Sequence, residues 1–327
     1  MIAKDNYPAL IETVVVAGLL ALLGLLGLYI VPAFYLVTLL LPVPLAYLII
    51  KNNLLYGLLS LGLATFMLIV AFGHIGSALM LVMQFGPTGV IIGLLIKNKV
   101  SVDSSMAVLF FWALAVAALN LFVSFVLSGV GYANVTTEFR AAMDQVAEMY
   151  RQNGMMDEIG RQQFQQVADQ IIHLVQVLLP GTIAVWTIFM TIFTYFITRL
   201  LIRKLGYDAA PEFKFLEWRL PWYSIWLVIT GLAMAMAGEE FSLRIVNIIG
   251  KNILYISAFI FFVLGTAVLM FFLRAWKMPK VVKIIITVAL FLYLPLATAI
   301  ILSLGVVDPV ANLRRLSTDS DEGSKGG

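Results

Sequence analysis

An all-α bundle that crosses a membrane several times is the fold class predicted for this 327-residue chain, and three features of the sequence predict it. Hydrophobic residues make up 62 % of the chain and charged residues only 12 %, with a mean hydropathy of +1.00. Soluble domains hold apolar residues at about half of their positions, so a soluble globule is excluded. Second, the apolar residues come in uncharged runs, at Val14–Ile50, Leu54–Ile96, Met106–Val135, Ile171–Thr198, Leu220–Gly238, Asn252–Leu273 and Ile284–Val307. A single crossing helix needs about 20 residues, so several of these runs hold more than one. Third, the runs are continuous rather than alternating, which selects helices over a β-barrel.

Proline, glycine and charge divide the runs into elements. Helix one covers about 10–30 and helix two about 33–50, because Pro32 ends the first pattern and the residue before a proline disfavours helix. Pro42 and Pro44 then lie inside helix two, which predicts a kinked or partly unwound segment. Helix three covers about 54–72, helix four 77–96 and helix five 106–128, with Gly73-His74-Ile75-Gly76 between three and four. Helix six is expected at 178–202, helix seven at 222–238, helix eight at 253–273 and helix nine at 284–305. An eight-helix scheme, with short helix seven or kinked helix two re-entrant, is the alternative. Residues 1–305 thus form one transmembrane domain, and the Ser-, Asp-, Glu- and Gly-rich segment 306–327 reads as a disordered tail.

Residues 134–176 stand apart as a polar, net acidic island. Phe139, Met143, Val146 and Tyr150 recur at helical intervals, and after Asn153-Gly154 so do Ile159, Val167, Ile171, Leu174 and Leu178. The island therefore reads as two amphipathic helices. The second meets no breaker before Pro180 and runs into helix six, with Pro180 near that helix's first turn.

Most of the 21 Lys and Arg fall on the amino-terminal side of this scheme. Basic residues collect in the cytoplasm, so the chain reads as a multi-pass protein of the cell (inner) membrane with a cytoplasmic amino terminus. Arg314 and Arg315 are the exception, since nine spans leave them outside. The net charge of +3 is ordinary for a membrane protein and gives no reason to expect nucleic acid. There is no cysteine, which excludes thiol and Cys–metal chemistry.

Few residues carry recognisable chemistry. His74 and His173 have no metal-ligand spacing, no Gly-x-Ser-x-Gly elbow exists, and Gly250-Lys251-Asn252 lacks the surroundings of a phosphate loop. We expect no enzyme and no cofactor or metal. Thr187, Thr191, Thr194 and Thr198 share a face about 60° wide on helix six, and with Asn120 of helix five they are the candidate substrate-binding residues. Thr13, Ala17, Ala21 and Gly24 share one face of helix one and form a candidate docking face for a membrane partner, since small residues let helices approach closely. Gly86, Gly89 and Gly93 do the same on helix four.

The Pro-x-Pro of helix two, the Gly86-Pro87-Thr88-Gly89 start of the helix-four glycine face, the amphipathic island and Trp218-Arg219-Leu220-Pro221 together cover roughly residues 8–305. In this combination the chain resembles the YybS-like family of uncharacterised bacterial multi-pass membrane proteins. That family is distantly similar to the substrate-binding (S) subunits of energy-coupling-factor transporters. The resemblance implies a small-solute-binding or transport subunit with a transmembrane coupling partner beside it, and on that reading the island is expected to be an outer lid. A non-catalytic scaffold recruiting a protein is the alternative.

Overall fold

A computed structural model describes residues 7–73, 75–123, 132–154, 157–207, 213–275, 279, 281–282, 284–285, 288 and 292–316. The regular structure among them is helical: α1 (Tyr7–Tyr29), α2 (Val31–Leu40), α3 (Pro42–Lys51), α4 (Leu54–Phe72), α5 (Ile75–Lys97), α6 (Val102–Phe122), α7 (Tyr132–Gln152), α8 (Glu158–Lys204), α9 (Ile225–Glu240), α10 (Arg244–Ala275) and α11 (Leu294–Ala311), with short 3-10 turns at Phe215–Glu217 and Trp222–Ser224. Seven of the helices in the described residues are long and apolar enough to cross a membrane, and Leu36–Lys51 is a shorter apolar stretch. His74 lies outside the described residues.

The chain divides into two compact units. One comprises Met1–Gly129 with Trp186–Glu212, the other Val130–Val185 with Phe213–Gly327. Helix α8, at 47 residues and about 70 Å long, contributes its first part to the second unit and its remainder to the first.

In the first unit, α1 packs on α2, α3 and α4, and α3 packs on α5. Ala17, Leu20 and Ala21 join Leu45, Leu48, Ile49, Ala64 and Leu68 in one buried cluster. Lipid offers helices little hydrophobic reward for pairing, so close van der Waals contact must hold them. The glycine face of α5 supplies it: a Cβ at Gly89 would lie 2.9 Å from Pro42 O, and one at Gly93 would lie 3.1 Å from Ala46 Cα. Polar tethers close one end of this unit. Lys51 pairs with Glu12 at 2.6 Å, Asn52 Nδ2 donates to Glu12 at 3.0 Å, and Lys97 Nζ donates to Ile49 O and Asn52 O, carbonyls at the end of α3 that the helix itself leaves unpaired.

The two amphipathic helices of the island form in the second unit. Gly154 turns the chain between them with φ +68°, and Asp157 caps α8 by accepting from Gly160 N–H at 2.7 Å. The expected merger with a membrane helix is found, but Pro180 lies well inside α8 rather than in its first turn. The reason is a side chain from elsewhere. In an unbroken helix Gly181 N–H donates to Val177 C=O, and a proline ring at 180 disturbs that turn. The amide of Asn252, on α10, stands in for the lost bond: its Oδ1 accepts from Gly181 N–H at 2.6 Å and its Nδ2 donates to Val177 O at 2.7 Å and to Ile248 O at 2.7 Å. Asn252 is buried, so all three of these polar capacities are used.

Helices α10 and α11 cross at Gly265 and Gly305, where a methyl on either residue would overlap a carbonyl oxygen of the other helix. The final helix is described at Leu294–Ala311, later than the expected 284–305, and the chain beyond residue 305 continues as helix and a turn to Leu316. Residues 317–327 of the expected tail lie outside the described residues. Arg314 accounts for the order up to Leu316. Its side chain is 0 % exposed, it pairs with Asp308 at 2.7 Å, and it donates to Leu216 O and Trp218 O at 2.7 Å each. This arginine is thus a buried, multiply bonded ion-pair member rather than a solvated loop residue.

Candidate functional site

The first unit carries a half-open cavity of about 70 Å³. Five helices contribute to its wall. Phe34 and Thr38 come from α2, Pro42 from the first turn of α3, Gln84, Phe85 and Thr88 from α5, Val116 from α6, and Trp186, Thr187, Met190, Thr191 and Thr194 from α8. The break between α2 and α3 falls here because Pro42 and Pro44 bring no N–H to the helix ladder. Leu41 N–H still bonds Val37 O at 2.8 Å and Leu41 keeps helical dihedrals (φ −59°, ψ −38°), so α2 leads into α3 with only the proline bonds missing.

The hydroxyls differ in what they have left to offer. Thr88 donates to Gln84 O at 3.2 Å and accepts from Trp112 Nε1 at 3.0 Å, which ties α5 to α6. Thr194 donates to Leu39 O at 3.3 Å, beside the α2–α3 break. Thr191 is 7 % exposed, lines the cavity, and its hydroxyl has no hydrogen-bond partner among the described residues. Gln84 is half-buried on an otherwise apolar stretch of helix. Among the described residues no charged side chain belongs to the wall.

Of the residues singled out in the sequence, Thr187, Thr191 and Thr194 are brought together here. Thr198 is fully buried outside the wall and donates to Thr194 O at 2.8 Å, a helix-internal bond. Asn120, on α6, is half-buried and is also not part of the wall. Sequence reasoning missed Gln84, Thr88 and Trp112; Gln84 was detectable as the only glutamine in the uncharged run Leu54–Ile96. The docking face of α1 turns inward. Thr13, Ala17, Ala21 and Gly24 are all buried, and a Cβ at Gly24 would lie 2.9 Å from Leu68 Cδ2 of α4. That face is occupied by this chain's own helices. Among the described residues no cluster of three or more His, Asp or Glu could hold a metal ion.

The long apolar helices and their small-residue packing define a polytopic α-helical membrane protein. The chain belongs to the family described as predicted membrane protein (DUF2232), which it matches over residues 18–309. No curated protein and no solved structure matches it.

Proposed function

We propose that the protein is a small-solute-binding or transport subunit of the cell membrane, similar in role to the S components of energy-coupling-factor transporters, and that the Thr-lined cavity of the first unit is its site. The observation that carries this reading is Thr191, a residue 7 % exposed that lines the cavity and whose hydroxyl has no hydrogen-bond partner among the described residues. A hydroxyl whose proton and lone pairs are uncommitted in apolar surroundings is a place for a ligand. Discontinuous membrane helices are where transporters commonly bind their solutes. The protein performs no covalent chemistry in this reading, and its amino terminus is cytoplasmic. A coupling partner would meet the large outward side chains of α1, such as Ile11, Val15 and Leu22, because the small ones are turned inward.

The test is a thermal-shift screen of polar metabolites on the purified protein, since a ligand that binds only the folded state raises its apparent stability. A ligand that shifts the wild type should lose most of its effect on Thr191→Val and keep it on Thr191→Ser. An equal shift in Thr191→Val would overturn the assignment of the site.

A further inference from the structure

We propose that this cavity takes a very small, uncharged solute that presents hydrogen-bond donors, of the primary-amide or short-polyol class, anchored by Thr191. The inference rests on the solute-binding reading above and names the ligand chemistry that the reading leaves open.

The charge of the ligand follows from the wall. Among the described residues no Asp, Glu, Lys, Arg or His lines the cavity. An ionised solute would therefore leave water for a site inside an apolar bundle that offers no counter-charge, which is unfavourable.

Its hydrogen-bonding pattern follows from where the protons already are. A hydroxyl carries one proton and two lone pairs. Thr88 has given its proton to Gln84 O and Thr194 has given its own to Leu39 O, while Trp112 N–H is directed at Thr88. Thr194 can therefore only accept from a ligand. Thr191 can donate and accept, and the Gln84 amide can do both. A solute with N–H or O–H groups satisfies these three, and one with acceptors alone leaves Thr194 unanswered; Thr38 and Thr187, the other hydroxyls of the wall, have partners of their own.

Size follows from volume. At about 10–15 Å³ per water, 70 Å³ holds roughly five to seven water molecules. The ligand has a comparable number of heavy atoms. Phe34 and Phe85, whose rings meet edge to face 6.5 Å apart, give the same cavity an apolar side for a methyl or methylene group.

Acetamide, acetate and acetone separate these requirements, because they share a methyl group and nearly one shape while differing in charge and in donors. Saturation-transfer NMR on the full-length protein in nanodiscs, at millimolar solute, reads the methyl signal of each. Acetamide should receive transfer, and acetate and acetone should receive about fivefold less, roughly the worth of one hydrogen bond. Thr191→Val should lower the acetamide signal by a similar factor, and Thr191→Ser should restore it with the protein still monodisperse. Equal transfer to acetate or to acetone overturns the ligand class, and if Thr191→Val still weakens all three the site itself stands. No transfer to any of the three also overturns the inference, and a Thr191-dependent response to larger metabolites in the thermal screen would then show that the site takes a different ligand. Acetamide transfer that is equal in wild type and Thr191→Val overturns both readings.

Discussion

Pro180 in one unit and Pro42 in the other each have a nearby backbone carbonyl met by a side chain from another helix, and the two places are treated differently. At Pro180 in the second unit, the Asn252 amide bridges Gly181 N–H and Val177 C=O and leaves nothing unpaired in its own side chain. At Pro42 in the first unit, the Thr194 hydroxyl reaches Leu39 O, and the cavity beside it is lined by Thr191 and Gln84. In the second unit Arg314, also buried, likewise donates to Asp308 and to two backbone carbonyls. Within apolar surroundings a saturated break is a structural joint, and an unsaturated one is a place where a ligand can supply the missing partner.

If the second unit owes its order to saturation, the largest loss should come from Arg314. Arg314→Met removes a guanidinium that is 0 % exposed and strands the Asp308 carboxylate beside apolar neighbours. Removing one partner of a buried ion pair costs about 3–5 kcal/mol, and the drop should appear as a lower midpoint of thermal unfolding. Arg314→Lys should recover only part of it, because an ammonium cannot reproduce the planar fork that meets Asp308, Leu216 O and Trp218 O together. A midpoint unchanged in Arg314→Met would show that water, and not Arg314, already serves these groups.

Asn252→Leu comes next. It fills the same space and leaves Gly181 N–H and Val177 C=O without the amide, and orphaned groups of this kind cost about 2–3 kcal/mol together. Adding Pro180→Ala to Asn252→Leu should return much of that loss, since the helix could then close its own ladder. Unfolding midpoints of the two variants decide the matter: no recovery in the double variant would mean that Asn252 acts through packing alone.

The break at Pro42 and the threonine face could be read in the sequence because each is local, a matter of spacing along one helix. Asn252 could not, since its partners lie 71 and 75 residues away and nothing in its own neighbourhood marks it. The same limit applies at Pro180, where the amide that meets its turn is distant in the chain. Arg314 looked like a misplaced surface charge until the fold brought it against the α11 carboxylate and the aromatic loop. The face of α1 was legible as a close-packing surface, but whether its partner was another protein or this one depended on α4, whose approach the spacing of α1 cannot reveal.

That face gives the third expectation. Ala17 is 0 % exposed and sits in the buried cluster with Ala64 and Leu68. Ala17→Leu should cost about 1–3 kcal/mol by overpacking, seen as a lower unfolding midpoint of the isolated protein, with no partner needed to observe it. An unaffected midpoint would mean that α1 can shift away from α4.

The smallest effect is the most informative, and it compares two threonines on one helix. Thr198 is fully buried and its hydroxyl adds a second bond to Thr194 O, so Thr198→Val should lower stability by about 1 kcal/mol and leave ligand binding as it was. Thr191 makes no such bond among the described residues. Valine has nearly the same shape, so Thr191→Val should keep the ligand-free protein within about 0.5 kcal/mol of wild type while the response to solute is lost. Paired unfolding curves with and without acetamide measure both quantities in each variant. The two substitutions must move opposite quantities if one threonine belongs to the joint and the other to the site; if Thr191→Val destabilises the ligand-free protein as much as Thr198→Val does, its hydroxyl is structural and the contrast between the two proline breaks fails.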